Sequence, residues 1–327
     1  MPFLRLAALL AVLPVLAHAA GCEGESLADH LSPAQEAELV ARIEATPHPR
    51  GLVWQAERDG AQITLIGTIH VWDARLDALA ADVAPLLDGA DLALFEMTES
   101  EQAALMEHMA HDPSLTTIQG PGLNETLAPE EWEALAKAAR EHGIPPFVAS
   151  RMRPWLLATT LATPACAMEA MQQGLMGLDF MLMDHAGAAG VPIAALEPWD
   201  TVLGLFDALG PEGEITLLRS TLVAPELEEQ MFVAMLDGYF ARDVAGIFEM
   251  NRIAMQESGT EDALALMDRA EEALIAARNR AWLPVIETAA QPGSRIVVAA
   301  GAGHLPGEEG LLSLLERTGW VVRRLDG

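Results

Sequence analysis

The feature that most constrains the fold is the position of short apolar runs. They lie near both ends of the chain, and the sequence between them is mostly helical in pattern. Ile63–Ile66 and Arg295–Ala300 have the composition of buried strands, and a glycine follows each of them at once. Two further runs, Asp91–Phe95 and Val191–Leu196, are each followed by a glutamate. Short apolar runs separated by amphipathic helical segments are typical of a sheet with parallel strands. We therefore predict an α/β protein whose central mixed, largely parallel β-sheet is flanked by helices.

The remaining pattern predicts how this sheet is completed. Asp59-Gly60, between Leu52–Trp54 and Ile63–Ile66, predicts a hairpin turn, and Trp320–Leu325 predicts a closing strand. Apolar spacing predicts helices over 27–48, 75–88, 99–111, 129–142, 151–162, 174–190, 199–209, 211–221, 226–239, 241–254, 261–290 and 308–318. Because no low-complexity linker interrupts the chain, we predict a single domain over 20–327. Within it, residues from about 99 to 290 form a mostly helical cap insertion with one core strand near 191–196.

Residues 1–19 have the pattern of a secretory signal peptide. Arg5 provides a positive start, Leu6–Leu16 an apolar stretch, and Ala17-His18-Ala19 a small-residue cleavage site. Pro14 interrupts the apolar stretch, which is also short for a bilayer span, and no other segment is long enough. We therefore expect a periplasmic or secreted protein without a stable membrane span.

The two cysteines, Cys22 and Cys166, allow two interpretations. An even number of cysteines in an exported chain favours a disulfide between them. Alternatively, Ala19-Ala20-Gly21-Cys22 is similar to a lipoprotein cleavage box, which would lipidate Cys22 and anchor the protein. Ala19 stands where that box normally has leucine, and lipidation would leave Cys166 without a partner. The disulfide is therefore the prediction that we favour.

The charge of the chain restricts its partners. Nineteen Lys and Arg residues stand against 48 Asp and Glu residues, which gives a net charge of −29. Binding to nucleic acid needs clustered cations, and the sequence contains no such cluster. We therefore expect a peptide or a small molecule as substrate.

Two Gly-x-x-His segments, Gly67–His70 and Gly301–His304, follow the runs at the two ends of the chain. In α/β sheets, ligands bind at the carboxyl ends of the strands. If both strands are parallel in one sheet, His70 and His304 emerge at the same edge. A glycine at such a turn permits positive φ or the close approach of the backbone to a ligand. A histidine after a single strand is more often an ordinary turn residue, so the prediction rests on the pair.

Glu96 and Glu197 come at the ends of two other predicted strands and are candidates for the same site. Imidazole and carboxylate together are the ligands of a catalytic zinc, manganese or similar ion. A carboxylate that is not on the ion can serve as a general base. The alternatives are a surface acid for Glu96 and a cap of the next helix for Glu197.

Arg278 and Asp179 are further candidates. Arg278 lies in the last long helix, where it can steady a carboxylate or a developing oxyanion or form an ordinary surface ion pair. Asp179 either turns into the site or caps a helix, and the sequence leaves this open. No Gly-x-Ser-x-Gly elbow and no His-Glu-x-x-His helix occurs in the sequence, which excludes two common classes of hydrolase.

Taken in order, these segments resemble the TraB/GumN family. The resemblance spans about residues 50–325 and rests on Leu65-Ile66-Gly67-Thr68-Ile69-His70, Leu94-Phe95-Glu96-Met97, Gly177-Leu178-Asp179, Ala195-Leu196-Glu197, Arg278-Asn279, and Ala300-Gly301-Ala302-Gly303-His304-Leu305-Pro306-Gly307 with Gly310-Leu311 and Leu314-Leu315. It implies relatives among the TIKI metalloproteases and, more remotely, among erythromycin-esterase-like and ChaN-like proteins. It also implies an α/β core in which His70, Glu96 and His304 form the metal-binding or catalytic set.

Three functional hypotheses follow from the residues and the resemblance. The first is an exported hydrolase, most plausibly a peptidase, that uses a divalent ion (Mn, Co or Zn) held by His70, His304 and Glu96, with Glu197 and Arg278 beside them. The second is a non-catalytic periplasmic protein that binds metal, haem or a small ligand through the same histidines. The third is an ester hydrolase that acts through histidine without a metal.

Overall fold

The chain folds around one mixed sheet. The computed structural model describes residue 22 and residues 24–222, 225–257 and 261–326, so the predicted signal peptide lies outside the described residues. Among these residues, six strands form one sheet in the order β4-β3-β5-β2-β1-β6. They are β1 Val53–Arg58, β2 Ala61–Thr68, β3 Leu92–Phe95, β4 Ile193–Ala195, β5 Arg295–Gly301 and β6 Val321–Arg324. β4, β3, β5 and β2 are mutually parallel, whereas β1 and β6 pair antiparallel, which confirms the predicted fold class.

Helices make up most of the remaining described chain. They are α1 Pro33–Ala45, α2 Leu76–Val83, α3 Glu99–His111, α4 Leu123–Thr126, α5 Pro129–Glu141, α6 Pro146–Ala149, α7 Pro154–Leu161, α8 Ala165–Gln172, α9 Leu178–Ala189, α10 Thr201–Ser220, α11 Pro225–Phe240, α12 Val244–Glu257, α13 Glu261–Glu271, α14 Ala277–Ala289 and α15 Leu311–Arg317. The two predicted helices, 199–209 and 211–221, are confirmed as the two segments of α10, which the non-helical Gly210 (φ 65°, ψ 173°) separates just before Pro211. The predicted helix over 261–290 is divided by a π-helical turn at Glu272–Ala276.

The β1–β2 hairpin confirms the turn predicted at Asp59-Gly60. Both residues have positive φ, 52° and 80°, as a tight two-residue hairpin turn requires. β2 extends to Thr68, two residues beyond the predicted end, because it continues to pair with β5 up to Thr68 opposite Gly301. The glycines of both Gly-x-x-His segments therefore lie within strands.

Apolar side chains cover both faces of the sheet. On one face, Ile66 and Val297 belong to a cluster with residues of α2, α9 and α11. On the other face, Leu65 and Val298 pack with residues of α14 and α15. Successive strand residues point to opposite faces, so both faces are buried and the carboxyl ends of the parallel strands remain as the place for a site.

A disulfide ties the start of the described chain to its middle. Cys22 is bonded to Cys166 of α8, with 5.4 Å between the Cα atoms and 144 residues between them in sequence. The predicted disulfide is confirmed, and it uses the Cys22 sulfur that lipidation would require. Within the described ranges, no helix is long and apolar enough to cross a membrane.

Candidate functional site

Four neighbouring parallel strands deliver the predicted site residues to one edge of the sheet. Glu197 follows β4, Glu96 follows β3, His304 follows β5 and His70 follows β2. The Nε2 atoms of His70 and His304 lie 3.9 and 3.8 Å from Oε1 of Glu96. Side chains that are distant in sequence thus meet because their strands run in the same direction.

The hydrogen bonds of His304 determine which ring nitrogen carries its proton. Nδ2 of Asn279 donates to the carbonyl oxygens of His304 (3.2 Å) and Glu309 (2.9 Å), which fixes the orientation of the amide. Oδ1 of Asn279 is therefore the acceptor for Nδ1–H of His304, at 2.6 Å. Nε2 of His304 is thus unprotonated; it lies 3.8 Å from Oε1 of Glu96 and accepts a hydrogen bond from Nη1 of Arg278 at 3.3 Å. Partners such as Asn279 commonly orient a metal-binding histidine.

Burial keeps His304 in this neutral form. The residue is only 3% exposed, and burial lowers the pKa of His304 to about 3 in spite of the charge on Glu96. Nη1 of Arg278 lies 3.3 Å from Nε2, so a proton there would face a positive charge. At neutral pH, His304 is therefore neutral, and its Nε2 lone pair accepts from Arg278, a hydrogen bond that an ion bound at Nε2 would replace.

His70 differs in its environment from His304. Its side chain is 60% exposed, with Nδ1 lying 3.3 Å from Oδ1 of Asp179. Burial of the ring nitrogens opposes protonation, but Asp179 and Glu96 outweigh it and raise the pKa of His70 to about 9. The side chain is also open to solvent, which favours the charged form. His70 is therefore the proton carrier on the open side of the site.

Glu96 is held from two sides. Its Oε1 accepts a hydrogen bond from the backbone N–H of Gly301 (2.6 Å), and its Oε2 accepts one from Arg278 (2.7 Å). Burial favours the protonated acid, but the charges of His304, His70 and Arg278 and the amide of Gly301 lower the pKa of Glu96 below its usual range. Because burial keeps His304 neutral, it is His70, Arg278 and the amide of Gly301 that favour the ionised form of Glu96.

The missing side chain of Gly301 leaves a small space at the centre of these donors. A Cβ atom on Gly301 would lie 3.2 Å from Oε1 of Glu96, 3.6 Å from Nε2 of His70 and 3.7 Å from Cδ2 of His304. We call this space the cradle. Gly301 has φ −47° and ψ 133°, which any residue can adopt. Glycine is therefore needed here for space and not for backbone conformation.

Arg278 links the two glutamates. Its guanidinium donates to Glu96 and, through Nε (3.0 Å) and Nη2 (2.7 Å), to Glu197. Trp282 donates to Glu197 as well, at 2.8 Å. Both carboxylate oxygens of Glu197 thus accept hydrogen bonds from Arg278 or Trp282. Glu197 therefore acts on the site only through Arg278.

The first turn of α9 packs directly on the backbone that carries His70. The N–H of Leu178 donates to the carbonyl oxygen of Ile69 (2.9 Å). A Cβ on Gly177 would lie 2.1 Å from that oxygen and 2.6 Å from Cα of His70. Gly177 therefore allows the contact that brings Asp179 to His70, which answers the question that the sequence left open for Asp179.

We predict that Gly177→Ala destabilises the fold by about 1–3 kcal/mol, because either α9 or the His70 segment must move. It should also weaken any function that depends on the pairing of His70 with Asp179. Gly187→Ala in the same helix is the matched control, since a Cβ there meets nothing within 4 Å. Removing a helical glycine should make that variant slightly more stable. Urea unfolding of both variants measures the difference, and equal midpoints would contradict the role given to Gly177.

Sequence reasoning identified most of these residues but not their supports. Asn279 was noticed only as part of a motif, and Trp282 was missed. Tyr239, the single tyrosine of the chain, was missed as well, although its buried hydroxyl donates to the carbonyl oxygen of Gly67 at 2.9 Å. No local pattern signals these supports, because each acts across more than twenty residues of sequence.

The chain is thus an α/β protein. Its candidate site lies at the carboxyl edge of the sheet and contains the histidines of two Gly-x-x-His segments and a glutamate. The chain belongs to the TraB/PrgY/gumN family, whose model matches residues 52–324. It is similar to a protein of Escherichia coli strain K12 called uncharacterized protein YbaP, with 25% identity over 254 residues. The match covers 77% of this chain and 86% of that protein. The protein of the same name from Shigella flexneri is similar to the same extent.

Proposed function

We propose that the protein is an exported hydrolase, most plausibly a peptidase, whose site binds one divalent ion such as Mn²⁺, Co²⁺ or Zn²⁺. One observation carries this proposal: Nε2 of His70 and Nε2 of His304 lie 3.9 and 3.8 Å from the same oxygen of Glu96, while Nδ1 of each faces an outer oxygen. Oδ1 of Asp179 lies 3.3 Å from Nδ1 of His70 as an ion-pair contact, and Oδ1 of Asn279 accepts from Nδ1–H of His304 at 2.6 Å. Such outer acceptors orient histidines that bind metals.

The donor set and its spacing fit a divalent ion. In the part of the chain that the structure describes, no three His, Cys, Asp or Glu side chains already stand as a complete metal-binding group. The spacings of 3.8 and 3.9 Å from Glu96 to the two histidines nevertheless fit a shared ion. Two ligands with bonds of about 2.0–2.1 Å stand at most roughly 4.2 Å apart. His70, His304 and Glu96 are therefore the residues that would hold it.

The charges around the cradle also favour a divalent ion. Asp179, Glu96 and Glu197 bring three carboxylates, whereas Arg278 is the one permanently charged cation among the described residues that contacts them. Two negative charges therefore remain in excess, and a proton on His70 balances only one of them. A bound divalent ion balances both and supplies Lewis-acid activation.

The residues of the chain have separate roles in this hydrolysis. Glu96 stays ionised and would hold the ion together with His70 and His304. The N–H groups of Arg278 are already used on Glu197, Glu96, Leu274 and His304, so Arg278 contributes its positive charge next to Glu96, which favours negative charge that develops on the scissile carbonyl. His70, on the solvent side, must give up the proton that its raised pKa favours before its Nε2 can hold the ion. Glu197 positions Arg278, and burial around His304 limits the access of bulk water.

An ester hydrolase without a metal is the second candidate. It is favoured by one observation: Arg278, a permanent cation, already lies 3.3 Å from Nε2 of His304 and 2.7 Å from Oε2 of Glu96. In that case the guanidinium alone provides the positive charge, and the Asp179–His70 pair provides the base.

A library of peptides and esters, incubated with the mature protein and added Mn²⁺, Co²⁺ or Zn²⁺, separates these possibilities. We expect hydrolysis that exhaustive chelation abolishes and the added ion restores, and that Glu96→Gln abolishes. Hydrolysis that survives chelation supports the ester hydrolase instead. Ion binding without turnover of any substrate would contradict both enzymes and leave the non-catalytic binding protein.

The signal-like sequence over residues 1–19 and the disulfide support the proposed location. We propose that the protein is exported to the periplasm or secreted, because disulfides persist in oxidising compartments. Mass spectrometry of the N-terminus after expression in a Gram-negative host measures this directly. A mature chain that starts after Ala19 is expected, and an uncleaved or lipidated chain would contradict the proposal.

A further inference from the structure

Trp282 of α14 contacts three residues of the candidate site at once. Its indole ring lies 4.3 Å, centroid to centroid, from the imidazole of His304, and the two ring planes are tilted by 37°. Its N–H donates to Oε2 of Glu197 at 2.8 Å, and the guanidinium carbon of Arg278 lies 4.7 Å from the ring centroid. Because Trp282 is 0% exposed, it can act on a substrate only through the residues that it touches.

The ring contact completes the restraint on His304. Oδ1 of Asn279 accepts from Nδ1–H of His304 at 2.6 Å and so fixes the direction of that nitrogen, but one hydrogen bond leaves the ring free to rock about it. A flat indole against the imidazole removes this second freedom, since aromatic pairs have preferred relative orientations. Asn279 and Trp282 lie three positions apart in α14, and side chains at this spacing share a helix face. One helix face thus supplies both restraints.

The other two contacts of Trp282 hold the indole in place. Its N–H points to the buried carboxylate of Glu197, which Arg278 also binds through Nε at 3.0 Å and Nη2 at 2.7 Å. Arg278 lies four positions before Trp282 in the same helix, so guanidinium, carboxylate and indole form a closed unit. We propose that Trp282 is a positioning residue of the site, whose anchored indole fixes the tilt of the His304 ring. The consequence for ion binding rests on the function proposed above, whereas the orientation of His304 does not.

A purely structural role is the alternative, because a buried tryptophan in any core needs an acceptor for its N–H. A second unit of the same kind in this chain separates the two roles. Trp320, 3% exposed, donates to Oε1 of Glu287 at 3.3 Å, and Arg58 donates to the same oxygen at 2.7 Å. The guanidinium carbon of Arg58 lies 4.4 Å from the ring centroid of Trp320. No residue of this second unit belongs to the candidate site, so Trp320→Phe is the matched control for Trp282→Phe.

The test compares wild type, Trp282→Phe and Trp320→Phe as complete mature chains without added metal. Proton NMR of nitrogen-15-labelled protein follows the exchange of Nδ1–H of His304 with solvent, and urea unfolding confirms that each variant is folded. We expect slow exchange in wild type and Trp320→Phe. Exchange should be faster in Trp282→Phe, because the smaller ring lets the imidazole rock away from Asn279. Unchanged exchange in Trp282→Phe, or an equal increase in both variants, would overturn the inference.

Co²⁺ binding, read from absorption spectra, tests the consequence for the proposed function. We expect Trp282→Phe to bind Co²⁺ about tenfold more weakly than wild type, as is typical of residues that orient a metal ligand. Trp320→Phe should bind Co²⁺ like wild type. Equal affinity of all three proteins, or an equal loss in both variants, would overturn the inference that Trp282 serves the site. If wild type binds no Co²⁺, the proposed metal function fails, and the exchange of the His304 proton alone decides the role of Trp282.

A second variant keeps the inference testable if Trp282→Phe does not fold. Benzothienylalanine, the sulfur analogue of tryptophan, has nearly the same shape but no N–H. Placed at position 282, it keeps the packing of the indole and loses only the anchor to Glu197. Faster exchange of Nδ1–H of His304 than in wild type supports the inference, and unchanged exchange overturns it. The same analogue at position 320 is the control.

Discussion

Replacing Gly301 with alanine is expected to abolish divalent-ion binding and hydrolysis while the fold remains intact. The new methyl group would occupy the cradle, 3.2 Å from Oε1 of Glu96 and 3.6 Å from Nε2 of His70. Even a displacement of about 1 Å at a reacting centre can reduce a rate by roughly 100-fold. We therefore expect a loss of activity of at least that size.

Gly301→Ala should have little effect on stability. The backbone conformation of Gly301 suits alanine, and the methyl group meets the ends of side chains and not backbone atoms. We expect a change in the free energy of unfolding of less than about 1 kcal/mol, since alanine also restricts the unfolded chain. Gly204→Ala on α10 is the matched control, because a Cβ there meets nothing within 4 Å. Full activity of Gly301→Ala would show that the cradle is not where the chemistry occurs.

Removing the disulfide is expected to cause the largest loss of stability. Cys22 and Cys166 close a loop with a sequence separation of 144 residues, and the unfolded chain gains conformational freedom when that loop opens. We expect the double variant Cys22→Ser/Cys166→Ser to lose about 2–5 kcal/mol of unfolding free energy. Urea unfolding at neutral pH measures this loss.

Reductant provides the control for this prediction. Dithiothreitol should lower the urea midpoint of the wild-type protein to that of the double variant and leave the double variant unchanged. If the wild-type midpoint is the same with and without reductant, the cysteines are not paired in solution. Intact mass after thiol alkylation then shows whether both cysteines are free.

The sheet was largely predictable from sequence because each strand carries a local signal. The apolar runs at Ile63–Ile66 and Arg295–Ala300 and the Asp59-Gly60 turn each depend on a few adjacent residues. The order of the strands in the sheet has no such local signal. β5 lies between β3 and β2 because segments more than 190 residues apart in sequence pack together. We predicted that β2 and β5 end too early in the sequence, because a glycine suggests a turn. In the structure, Gly67 still pairs with β5 and Gly301 still pairs with β2.

The candidate site was predictable in its members but not in its electrostatics. His70 and His304 occupy similar sequence contexts, yet the pKa of His70 is raised and that of His304 is lowered. The carboxylate of Asp179 contributes to the raised pKa of His70, and burial lowers the pKa of His304. Neither cause is visible in a Gly-x-x-His pattern. For the same reason, no sequence pattern indicated that Glu197 acts through Arg278.

The ion content of the purified protein tests the central claim most directly. Mature protein is equilibrated with Mn²⁺, Co²⁺ or Zn²⁺, desalted, and analysed by mass spectrometry for metal per chain. The wild type should retain one ion, and so should His185→Ala, whose imidazole pairs with Asp88 and not with Glu96. His70→Ala and His304→Ala should retain almost none. Equal metal content in all four proteins would contradict a divalent-ion site built from the two Gly-x-x-His segments.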